Sequence, residues 1–142
     1  MAPAGGTTMI EITAVPTIVE IQIYALVEPG TEHTPDPYVR YVGQTEGSLR
    51  RRLSEHIADA RAGRMGNEAL CTWILGLLRS RRRPALVLLK TSTSRQSADL
   101  DEIYHIRLCA DLFPDLLNDQ HNPHRSRKRP FTRPYLERVG AA

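Results

Sequence analysis

The sequence predicts an α+β domain: a small three-stranded, mainly antiparallel sheet flanked by helices, in the order β-β-α-α-β-α. Three observations predict it. A stretch of period-two alternation, residues 17–27, is followed across a proline-rich loop by a second β-prone run, residues 38–43. Two apolar stripes at helical spacing come next, residues 49–60 and 70–78. A short apolar run, residues 85–91, then leads into a third helical segment that stops at Pro114. With 142 residues and 41% hydrophobic content, the chain is long enough for one real core and too short for two ordinary domains.

Residues 1–16, rich in Ala, Gly, Thr and Pro, read as a flexible leader. In the first strand Val19, Ile21, Ile23, Ala25 and Val27 share one face, with Glu20, Gln22 and Tyr24 on the other. That pattern predicts a half-buried strand with Tyr24 on its polar side. Pro29, Gly30, Pro35 and Pro37 make a loop, and Tyr38 to Gly43 returns as the second strand of a hairpin. Ser48 is placed to cap a helix carrying Leu49, Leu53, Ile57 and Ala60, which Gly63 and Gly66 interrupt. Leu70, Trp73, Ile74, Leu77 and Leu78 form the cleanest helical stripe, so Trp73 is expected in the core. The run Arg81-Arg82-Arg83-Pro84 closes that helix. Residues 85–91 read as a buried strand, and Ser94 or Ser97 caps the last helix, whose stripe is Ile103, Ile106, Ala110 and Phe113. The domain is thus expected over residues 17–122, with a basic tail over 123–142.

Charge is unevenly spread. Residues 1–46 hold six acids against one Arg, and residues 96–124 the same. Residues 47–95 hold eleven bases against three acids, and residues 125–142 six against one. Only Lys90 and Lys128 are lysines, and Arg suits bidentate phosphate contact. A nucleic-acid partner follows as the first expectation, with a solvated charged surface as the alternative. No apolar run approaches a membrane span, and Met1 to Met9 carries no secretory pattern. Cys71 and Cys109 make neither a disulfide framework nor a metal knuckle, so a cytoplasmic, reducing setting is expected. His121 and His124 have a zinc-like spacing but no second ligand pair near them in the chain.

The fragments that bear chemistry are QIYAL, RYVGQT, LRRRLSEH, NEALCTWI, DEIYHI and LLND. Two tyrosine motifs lie on a hairpin, an Arg-aliphatic-x-x-His helix follows, and a Glu stands early in the last helix. In that order, across roughly residues 18–120, the chain resembles the GIY-YIG nuclease superfamily, as a small stand-alone endonuclease domain. It departs from the first motif at Gln22, where the family has Gly.

The resemblance implies Mg²⁺- or Mn²⁺-dependent hydrolysis of DNA phosphodiester bonds, one strand per active site, with a catalytically inactive DNA- or RNA-binding module as the alternative. It implies Tyr24 as general base, Tyr41 orienting the water or a phosphate, Arg52 on the scissile phosphate, His56 one turn later on the same face, and Glu102 as metal ligand. Gly43, Asn67 and Asn118 are implied in support. Arg50, Arg51 and Arg64, with Arg125, Arg127, Lys128 and Arg129 in the tail, are the expected contacts to flanking phosphates. Taken alone, two tyrosines across a hairpin are ordinary sheet packing. A homodimer or a partner protein is expected to supply a second active site or sequence specificity. The nucleoid is the expected place of action.

Overall fold

A computed structural model describes residues 19–125. Its elements are β1 (Ile21–Val27), β2 (Val39–Thr45), α1 (Leu49–Ala62), α2 (Glu68–Arg79), β3 (Ala85–Ser92) and α3 (Arg95–Leu112). The predicted order holds, and every strand pair is antiparallel, in the spatial order β2-β1-β3. The leader 1–16 and the tail beyond Arg125 lie outside the described residues.

The helices form where the chain supplies their ends. The Ser48 hydroxyl accepts the Arg51 amide and caps α1, and Gly63 ends it in the left-handed region, at a φ of 71°. The Asn67 side-chain Oδ1 caps α2 by accepting the Leu70 amide. Ser94, rather than Ser97, caps α3.

Two apolar clusters sandwich the sheet. On one side Ile21, Ile23, Ala25 and Val27 meet Ile106, Cys109 and Ala110 of α3. On the other, Tyr24 and Leu26 meet Ile57 and Ala60 of α1 and Leu70 and Ile74 of α2. The molecule is therefore a three-layer sandwich with β1 in the middle of the middle layer.

That position corrects the half-buried reading of the first strand. Tyr24 is 0% exposed, since β1 is paired on both edges and covered on both faces. β3, read as a buried strand, is an edge strand with Leu88 49% exposed. Trp73 is only half-buried; its indole nitrogen reaches a carboxylate oxygen of Glu28, 3.0 Å away. Ile103 and Phe113, assigned to the buried stripe of α3, are half-buried, and the stripe runs instead through Ala98, Ile106, Cys109 and Ala110.

The free edge of β2 is covered by the chain after α3. The Leu117 amide donates to the Arg40 carbonyl at 2.7 Å. The Asn118 side chain then behaves like a strand backbone: its Oδ1 accepts the Val42 amide at 2.8 Å and its Nδ2 donates to the Val42 carbonyl at 2.9 Å. Both backbone groups are thereby satisfied where an exposed edge would invite another chain. No helix among the described residues is long and apolar enough to cross a membrane.

Candidate active site

Alternation along β1 and the hairpin register put Tyr24 opposite Gly43 and Tyr41 opposite Leu26. The Tyr24 ring lies over Gly43. A Cβ on that glycine would sit 2.6 Å from the Tyr24 hydroxyl and 3.1 Å from Cε2 of Tyr41. Gly43 is thus the space into which the first tyrosine fits, a supporting role of a steric kind.

α1 delivers the next two groups. Arg52 and His56 are one turn apart and share a face. Arg52 Nε donates to the Tyr24 oxygen at 3.2 Å. His56 Nε2 lies 2.7 Å from the same oxygen. With the Arg52 N–H already directed at the phenolic oxygen, the Tyr24 hydroxyl proton is the one available to His56, whose Nε2 is then the acceptor. Electrostatics agrees. Burial, then the Arg52 charge, holds the His56 pKa down to about 4, so the imidazole is neutral at pH 7. Burial likewise pushes the Tyr24 hydroxyl above its ordinary range, against the pull of Arg52. Tyr24 is therefore a neutral donor in the resting protein. His56 itself is buried.

Tyr41 stacks edge-on against His56, with ring centroids 5.6 Å apart. Burial and then the nearby Glu102 carboxylate raise its pKa. Glu102 comes from the opposite layer, and its Oε1 accepts the Gln44 amide at 2.8 Å. The two layers meet in a cleft of about 460 Å³ whose walls include Tyr41, Asn67, Glu102, Asn118, Asp119 and His121. Asn67 fixes one wall by donating to the Leu117 carbonyl at 2.7 Å while it caps α2.

The structure therefore brings Tyr24, Tyr41, Arg52 and His56 into contact around one phenol, and brings Tyr41, Glu102, Asn67 and Asn118 to one cleft. The expected phosphate contacts stand differently. Arg50 is exposed. Arg51 pairs with Glu55 at 3.3 Å and Arg64 with Asp59 at 3.0 Å, both on the surface. Arg125 is tied to Asp119 at 3.3 Å. Arg127, Lys128 and Arg129 lie outside the described residues. Sequence reasoning missed Gln44, which holds Glu102, and Glu55, which holds Arg52 at 3.0 Å. The signal for Gln44 was its strand position two residues from Val42, which turns it toward α3.

Among the described residues no group of three or more His, Cys, Asp or Glu side chains is placed to hold a metal ion. An open cleft with the Glu102 and Asp119 carboxylates in its walls fits Mg²⁺, which keeps most of its waters and takes one or two carboxylates. It does not fit a zinc cage. No family model, curated protein or solved structure matches the chain.

Proposed function

We propose that the chain is a GIY-YIG-like endonuclease that hydrolyses phosphodiester bonds in DNA. The observation that carries this reading is the convergence of Arg52 Nε and His56 Nε2 on the Tyr24 hydroxyl. A phenol is a poor base at neutral pH unless its own proton has somewhere to go. Here it has a route. The basicity of His56, held down at rest by burial and the Arg52 charge, rises as that charge is shared with an incoming phosphate. The Tyr24 proton then passes to His56 as a water gives its own to the Tyr24 oxygen. Arg52 holds the oxygen during the exchange. Its side chain is 31% exposed, so the edge of the guanidinium now on Glu55 can meet an incoming phosphate while Nε stays on the phenol. Tyr41, on the wall of the cleft, orients the water. Glu102 would hold the divalent cation, which supplies a Lewis acid at the scissile phosphate. Gln44 and Asn118 keep the two walls in register.

A second reading, a DNA-binding module without catalysis, is favoured by one observation: Tyr24 is fully enclosed, so no water touches it at rest. Nicking of supercoiled plasmid in Mg²⁺ or Mn²⁺ separates the two. Wild type is expected to nick. Glu102→Gln keeps the bond from Gln44 and loses the charge, so it is expected to fold, to bind DNA as well as wild type or better, and not to nick. Wild-type protein that binds but never cuts any DNA form would replace the enzyme with the binding module.

A further inference from the structure

Beside the cleft opens a second cavity of about 770 Å³, which shares Gly66 and Asp119 with it. Its remaining walls are Arg40, Glu68, Ala69, Thr72, Trp73 and Arg125.

Two flat groups are fixed there. The Arg40 guanidinium lies 5.4 Å from the centroid of the Trp73 ring. One Glu28 oxygen ties both down: it accepts Arg40 NH1 at 2.7 Å and the Trp73 indole nitrogen at 3.0 Å. Among the described residues Arg40 Nε is enclosed and has no hydrogen-bond partner.

Arg40 is matched by Glu28 and Arg125 by Asp119, and Glu68 adds a further carboxylate to the walls. Neutral pairs give a free phosphate little reason to enter. What the walls present is an indole, two guanidinium planes, a hydroxyl and two carboxylates, Glu68 and Asp119. That set combines flat faces with donors and acceptors mixed along one rim. An unpaired nucleobase has the same composition, and aromatic rings and Arg planes are the surfaces on which unstacked bases rest.

We infer that this cavity receives one unpaired nucleobase of the DNA whose phosphate lies in the neighbouring cleft. The inference rests on the nuclease reading for its substrate. It selects DNA with a single-stranded or extrahelical nucleotide over continuous duplex.

Trp73 is the only tryptophan in the chain, so its fluorescence reports on the cavity directly. The full-length protein is titrated in EDTA with a short thymidine oligonucleotide and with an abasic oligonucleotide of equal length and charge. Fluorescence of Trp73 and the anisotropy of labelled DNA are followed together. The expected result is quenching by the thymidine strand alone, with binding at least about tenfold tighter than to the abasic strand, the range of one stacked base. Thr72→Phe, at an exposed position of α2, should fill the mouth and remove that preference while abasic binding stays unchanged. Equal quenching and equal affinity for the two strands would overturn the inference, as would tight binding with Trp73 unmoved. Because cleavage needs the metal, the two ideas fail separately. Plasmid nicking without a base preference sinks the cavity alone. A base preference without nicking sinks the nuclease alone.

Discussion

The Tyr24 hydroxyl and His56 Nε2 are 2.7 Å apart in a pocket that solvent does not reach. Each explains the other: the imidazole stays neutral because it is buried beside Arg52, and a neutral imidazole can accept the hydrogen bond of a buried phenol.

Removing that proton carrier is the first test. Tyr24→Phe should keep the fold and lower the nicking rate by roughly 10²–10⁴, the range for a general base. It leaves Arg52 Nε and His56 Nε2 without their shared partner, a cost of about 1–3 kcal/mol in urea unfolding. If Tyr41→Phe abolishes nicking and Tyr24→Phe does not, the proton role moves to Tyr41. Full activity in both variants would sink the mechanism.

Stability should depend on pH through His56. Its pKa is about 4 in the folded chain and 6.5 without the fold. Between those values the unfolded chain binds the extra proton, so stability falls as pH drops through that window, at up to about 1.4 kcal/mol per pH unit, and levels off below it. Urea midpoints of wild type and His56→Gln across this window check the sign. The variant should lose this component of the slope, and parallel curves for the two proteins would show that His56 is not its source.

Gly43→Ala should destabilise by roughly 1–3 kcal/mol, because its Cβ has no room beneath the Tyr24 ring. The nearest obstructing atom is the Tyr24 oxygen. Gly43→Ala combined with Tyr24→Phe should therefore cost less than the sum of the two single changes. Strict additivity in denaturant unfolding would refute that steric account.

Asn118→Ala strips both Val42 backbone groups of their partners. A loss of about 1–3 kcal/mol for each buried group left unpaired is expected. The opened β2 edge should also make the variant associate, measurable by light scattering. A variant as stable and as monodisperse as wild type would remove Asn118 from its edge-covering role.

The element order was legible in the sequence because each segment declared its own period and its own ends. Ser48, Asn67 and Gly63 occupy the cap positions their types predict. Alternation alone could not show which strand would be central. Alternation reads the Tyr24 face of β1 as wet because the burial of Tyr24 depends on α1 and α2 arriving from elsewhere in the chain. The same limit hid β3 as an edge. At the site, the spacing of Arg52 and His56 was enough to place them on one helix face. The Gln44–Glu102 bond was not legible, since its partners are 58 positions apart and belong to different layers. Arg40 and Trp73 looked like a lone cation and a core residue until Glu28 joined them.

A hydroxyl on the middle strand inherits the motions of that strand. β1 is hydrogen-bonded on both edges and covered on both faces, so the Tyr24 amide is expected among the slowest to exchange with solvent. Local breathing does not loosen this phenol, and on heating its position should be lost only at the melting transition. Glu102, held through an amide on an edge strand, belongs to the softer half. The two halves of the site therefore age differently: one persists as long as the fold does, and the other can drift while the protein is still native.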